Sequence, residues 1–319
     1  MDTIDLTEKF LRVADSLNVF YSLSISKLAI FTVACPLIAL FTCFITAVIY
    51  QFDDVHETHC RVFNIVPSIS AVTGVSPQRY LWRASIALHL APRLLLASLY
   101  YTYYGERLTD VEASRDMGQI LRTVCYWLNV VEIFSLAGVT YISNIDNYPI
   151  HEKLFITFMT TSLTYMLFTL KLFRITHPEM NQVNQKSYRW KRTFFTLSII
   201  CTVGLVIFFM QHRLLCHNLA FSWFAACEYV VAASNMAFHF TCIYEFPDEY
   251  LFVTSTPSKT KKTIKNSTDT QSSPTKLKKI TRNLHKLAAF PCFRVYSEKL
   301  FFQGLYQLML ILTLLFRIQ

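Results

Sequence analysis

The sequence predicts an all-α fold: a polytopic membrane helical bundle of six transmembrane helices, with the N-terminus and the C-terminal tail cytoplasmic. Three observations predict it. Of 319 residues, 53% are hydrophobic and only 16% are charged, and the mean hydropathy is positive, unlike an ordinary soluble domain. Six stretches are long and apolar enough for a span of about 20 residues. Their connections leave no room for a separate soluble domain, and in lipid such segments satisfy their backbone groups only as helices.

The elements follow in order. Residues 1–27 are a polar, amphipathic cytoplasmic segment without a cleavable signal, which makes the first apolar run a signal anchor. The six-helix membrane domain covers 28–246, with spans at Leu28–Tyr50, Tyr80–Tyr103, Ile120–Ile142, Lys153–Phe173, Thr193–Met210 and Leu219–Tyr244. Lys and Arg retained on the cytoplasmic side set the orientation. Arg174, Lys186, Arg189, Lys191 and Arg192 lie between spans four and five, and more basic residues follow span six. The loop from Gln51 to Gln78 instead carries Asp53, Asp54 and Glu57 against Arg61. The net charge of +9 is therefore a topology signal, with attraction to anionic lipid second, and no nucleic acid need be invoked.

Beyond the bundle, residues 247–299 form a basic tail rich in Ser, Thr and Lys, which reads as disordered. Its Asn266-Ser267-Thr268 triplet would escape glycosylation in the cytoplasm. Residues 300–319 are an apolar segment, either interfacial or a marginal seventh span.

Charges inside the spans need a reason, since a cation at mid-bilayer costs roughly 2.5–3.5 kcal/mol on insertion scales. Arg79, Arg83, His89 and Arg93 fall within about 120° on a helical wheel, so one face of span two is cationic. In span six Glu228, Asn235 and His239 share about 40° of arc, and span three adds Asn129 and Glu132. An inward-facing arrangement could pair Glu132 and Glu228 with Arg83 and Arg93. Two readings stay open: buried ion pairs that fix helix register, or a polar cavity for an amphiphile headgroup, with Arg on phosphate and His near neutrality.

Cysteines inside spans read as small packing residues. Cys60 and Cys216 fall in non-cytoplasmic loops, an oxidising location, and are disulfide candidates; His56, His59 and Cys60 leave zinc open as the alternative, but no second ligand cluster supports a metal. There is no GxSxG elbow, P-loop, HExxH or glycine-rich nucleotide fingerprint, and the chain holds only six glycines. No cofactor is expected. If the chain performs chemistry, His239 or His89 is the natural general base, able to take a proton from a lipid hydroxyl.

Two distant segments carry a resemblance. THCRVFNIVPSISAVTGVSPQRYLWRASIALHLAPR (Thr58 to Arg93) and CEYVVAASNMAFHF (Cys227 to Phe240) closely resemble the post-GPI attachment to proteins factor 2 family, with the PSIS, PQRYLWR, LHLAPR and EY…NMAFH elements in the family's order. Similar architecture occurs in yeast cell-wall biogenesis protein 43 and the damage-regulated autophagy modulators. The resemblance implies a multi-pass Golgi membrane protein, with the endoplasmic reticulum as a second location. It implies a role in restoring a saturated chain at the sn-2 position of lyso-GPI, and GPI-anchored proteins and GPI-remodelling enzymes as partners.

Carried onto this chain, Asn64, Pro67, Ser68 and Ser70 together with the polar faces of spans two and six become the lipid site, with Arg79 and Arg83 on the inositol phosphate. The acyl donor is not identified. A scaffold that presents lyso-GPI to a separate transferase fits as well, whereas a transporter would more typically show repeated or glycine-broken helices. The tail beyond Pro247 is longer than the family's usual ending.

Overall fold

The computed structural model describes residues 18–111 and 115–255. The chain divides into two compact units, 1–20 with 254–319 and 21–253. The first lies almost entirely outside the described residues, as do the glycosylation triplet and the apolar 300–319 segment.

The second unit is a helical bundle. Its long helices are α1 (Ile25–Tyr50), α4 (Gln78–Arg107), α5 (Arg115–Tyr141), α6 (Tyr148–Thr176), α7 (Gln182–Leu215) and α8 (Ala220–Phe240). Short helices α2 (Phe52–His56) and α3 (Ile69–Gly74) fill the connection between α1 and α4, and α9 (Cys242–Glu245) follows α8. Side-chain caps set several starts: Ser68 Oγ accepts from Ala71 N at α3, Asn147 Oδ1 from Ile150 N at α6, and Asn181 Oδ1 from Asn184 N at α7.

By length and composition, α1, α5, α6 and α7 qualify as membrane spans. The other two long helices, α4 and α8, miss that standard because they carry the polar residues singled out above. In both, those residues are mostly buried in protein: His89, Arg93, Glu228 and Asn235 are each 3–6% exposed. Conversely, α7 turns Ile200, Val203 and Ile207 outward, as a lipid-facing helix should.

Three expectations change. The fold is not purely helical, because β1 (Asn18–Ser24) and β2 (Tyr250–Ser255) pair as a two-stranded sheet; NVFYSLS and YLFVTS are aromatic and β-branched segments that suit a strand. The strand β2 also occupies part of the tail expected to be disordered. The basic group assigned to a loop from Lys186 to Arg192 lies on the first turns of α7. There Lys191 is only 2% exposed, ion-paired to Glu245 and hydrogen-bonded to Thr241, so it is a core residue as well as a contributor to the charge bias.

Candidate functional site

The connection from α2 to α3 is fastened to the α7–α8 junction and to α8. Cys60 and Cys216 are joined by a disulfide, so their sulfurs are not available as metal ligands, although His59 lies beside them. Leu219 N donates to Phe63 O at 3.0 Å. At the start of α8, Ser222 Oγ accepts from Ile65 N at 2.8 Å and Val66 N at 3.3 Å, and Glu228 Oε2 accepts from Ile69 N at 2.8 Å. Asn64 bonds within the loop, to Val62 O. Asn64 and Ser68 thus shape the segment, and each is 5% exposed.

Behind this segment opens a narrow cleft of about 110 Å³. Apolar side chains such as Leu40, Trp82, Ile86, Phe155 and Val231 make most of its wall; the polar groups reaching it include Ser70, His89, Arg93, His151, Glu228 and Asn235. An apolar wall with a few convergent polar groups suits an acyl chain joined to a polar head.

The cationic face of α4 divides by depth. At its start, Arg79 and Arg83 both meet Asp146 in the α5–α6 connection, at 3.7 and 2.8 Å. Arg83 also donates to Tyr141 O at 2.9 Å. Asp146 is held below the usual carboxylate range, first by the Ser143 hydroxyl at 2.8 Å, then by the Ser143 N–H, and further by Arg83.

His89 follows Arg83 by six positions, about 9 Å along the helix. Its Nδ1 lies 2.6 Å from Thr32 O; a carbonyl only accepts, so Nδ1 carries the proton and Nε2 is the basic nitrogen.

Deeper still is the second cluster. Arg93 Nη2 lies 3.3 Å from Glu132 Oε1 and 3.2 Å from Asn129 Oδ1. Asn235 Nδ2 donates to Glu132 Oε1 at 2.7 Å and Ser162 Oγ at 2.6 Å. His239 Nε2 is 2.9 Å from Arg93 Nη2 and 3.3 Å from Glu132 Oε1. A guanidinium can only donate. The shorter contact therefore makes Nε2 an acceptor, in which case the approach to Glu132 is not a hydrogen bond. Tyr165 stacks on the same ring at 5.2 Å.

Of the pairings expected from sequence, Arg93 with Glu132 forms. Arg83 takes Asp146 instead, and Glu228 has no basic partner among the described residues. The cleft also holds His151, which the sequence does not mark; its Nε2 lies 2.9 Å from Ser70 Oγ and its Nδ1 lies 2.8 Å from Ile142 O. Nothing in YPIHEKL marks it; the only clue was Ser70 in the PSIS element, 81 positions away.

A family profile described as the Frag1/DRAM/Sfk1/Cwh43P N-terminal domain matches residues 24–249. The chain is 51% identical over 242 residues to "Post-GPI attachment to proteins factor 2-like" of Drosophila melanogaster, covering 75% of this chain and 74% of the relative. It is 34% identical over 240 residues to "Acyltransferase PGAP2" of Xenopus tropicalis, covering 75% and 94%. With "Post-GPI attachment to proteins factor 2" of Caenorhabditis elegans it shares 31% over 223 residues, 69% and 84% of the two chains. No solved structure matches it.

Proposed function

The chain belongs to the Frag1/DRAM/Sfk1/Cwh43P N-terminal domain family, and from that premise we propose that it remodels GPI anchors, transferring a saturated fatty acyl group to the sn-2 hydroxyl of lyso-GPI in the Golgi membrane. The names of the relatives support the anchor as substrate, and the word acyltransferase in one of them supports catalysis over mere presentation. The observation that carries the reading is the cleft, an apolar wall with ionic and imidazole groups converging on it.

The topology proposed with it has six spans, α1 and α4–α8, both termini cytoplasmic, and the α2–α3 connection on the non-cytoplasmic side. The Cys60–Cys216 disulfide supports that sidedness. Lyso-GPI then enters from the leaflet where Arg79 and Arg83 lie, and these two hold the inositol phosphate in competition with Asp146. Asn64 and Ser68 act by shaping the loop.

Depth assigns the remaining residues. With the phosphate at Arg83, the sn-2 oxygen lies near the α3 end of the cleft, and Arg93 is ten positions, about 15 Å, further in. His89, Glu132, Asn235 and His239 line or brace the deeper cleft, where they position the helices and limit how far a chain can enter, whereas Glu228 braces the α3 end through the Ile69 N–H. His89 and His239, the two imidazoles that stand out in the sequence, take positioning roles in this arrangement.

Reconstitution tests the proposal. The purified chain in liposomes, given lyso-GPI and saturated acyl donors, forms diacyl-GPI. Reproducible lyso-GPI binding without turnover, from protein whose fold is verified, would replace the transferase with a presenting scaffold.

A further inference from the structure

Hydroxyls inside the helices of this protein mostly donate to their own helix: Thr73 to Ile69 O at 2.7 Å, Thr157 to Lys153 O at 2.8 Å, Thr164 to Thr160 O at 2.7 Å. Ser70, on the same short helix as Thr73, does otherwise. Its Oγ lies 2.9 Å from Nε2 of His151, on α6. The other ring nitrogen faces the Ile142 carbonyl at 2.8 Å. Since a carbonyl cannot donate, the proton sits on Nδ1, Nε2 is the acceptor, and the Ser70 hydroxyl donates to it.

This is the arrangement an activated serine requires: nucleophile on base, and base oriented by a third group. Three further observations place it. Both residues line the cleft, with His151 8% exposed and Ser70 more open. The nucleophile's segment is held still, because Glu228 bonds the N–H of the preceding residue and Ser222 bonds those of Ile65 and Val66. Finally, His151 and Arg83 dock on successive carbonyls at the end of α5, Ile142 and Tyr141, which puts the hydroxyl at the level of the proposed phosphate contact.

We propose that Ser70 and His151 are a catalytic pair that carries the acyl group as a covalent acyl-serine, an assignment that rests on the acyl-transfer reading above. In the first half, Ser70 Oγ attacks the carbonyl carbon of a saturated fatty acyl ester or thioester, and His151 Nε2 takes the hydroxyl proton. The donor's C–O or C–S bond breaks, and His151 returns the proton to the departing alcohol or thiol. In the second half, His151 takes the proton of the lyso-lipid's sn-2 hydroxyl, that oxygen attacks the acyl-serine carbonyl, and the proton returns to Ser70 Oγ as the new ester leaves. No oxidant or metal is needed.

The test uses the full chain in liposomes with a glycerophospholipid bearing a radiolabelled saturated chain in one arm and the corresponding acyl-coenzyme A in the other, first without lyso-GPI. The expected result is label on the peptide containing Ser70 from at least one donor, resistant to neutral hydroxylamine, which removes thioesters formed on the free cysteines. Adding lyso-GPI discharges it. Ser70→Ala loses both label and transfer, and Ser70→Cys regains a label that hydroxylamine removes. His151→Gln slows labelling about 10²–10⁴-fold with an unfolding midpoint near that of the parent.

If the parent acylates lyso-GPI while Ser70 stays unlabelled and Ser70→Ala remains active, the pair is overturned and the transferase reading survives. Label on Ser70 that lyso-GPI does not discharge keeps the pair and removes the substrate. No label and no transfer from either donor, in folded protein, overturns both.

Discussion

Two arginines ten positions apart, Arg83 and Arg93, sit on the same cationic arc of α4 and meet different fates. The Arg83–Asp146 pair is 24% and 40% exposed by side chain; the Arg93–Glu132 pair is 5% and 1%. A half-exposed pair contributes little to folding and leaves its cation available to a competing anion. A buried pair has already lost its water, so removing one partner strands the other charge. The shallow pair is thus suited to exchange partners with a ligand, and the deep pair to hold helices together.

Glu132→Ala is the strongest challenge to that contrast. It should destabilise the bundle by about 3–5 kcal/mol, read as a large drop in unfolding midpoint in detergent; a loss no greater than that of Asp146→Ala would erase the distinction. Next comes the bond between Cys60 and Cys216, which closes a separation of 156 residues. Replacing both with Ser should cost about 2–4 kcal/mol and loosen the α2–α3 connection, visible as faster amide exchange there.

In cells lacking the family's activity, Arg83→Ala and His239→Ala should both fail to rescue surface GPI-anchored protein. Only His239→Ala should also lower the amount of folded chain. Equal abundance of the two variants, each with full rescue, would count against both roles.

Asp146→Asn gives the smallest effect on stability and the finest test of the shallow pair. Because folding depresses the Asp146 carboxylate, its contribution to stability is present above the ordinary carboxylate range and fades as pH falls through the lowered value. The same protonation releases Arg79 and Arg83. Lyso-GPI binding should therefore tighten a few-fold on acidification of the parent, beyond any change in the lipid's own charge. Asp146→Asn should bind tightly throughout and lose that part of the pH dependence.

Much of the bundle was legible because burial and lipid both select apolar runs: each long helix contains or overlaps its expected span. The ends were less legible. The strands β1 and β2 lie where short aromatic segments must find each other across the whole sequence, a pairing no local pattern reveals. Within the site, the wheel of α4 placed four cationic residues on one arc, but an arc carries no depth. It could not separate Arg83, which meets a loop carboxylate, from His89, which meets a backbone carbonyl of α1. His151 escaped notice for a related reason. Its partner is a serine on a six-residue helix from a distant stretch of chain, and an isolated histidine at the start of a helix looks the same whether or not such a partner arrives.

The link between Cys60 and Cys216 also dictates an order of manufacture. In the proposed topology its first sulfur crosses to the oxidising side after a single helix, whereas its second emerges only behind α7. During synthesis the early thiol must therefore wait, unpaired, while four further long helices are threaded. Only then can the strap carrying Ser70 be latched, so on that topology a nascent chain halted before α7 is complete leaves the Cys60 thiol without its partner.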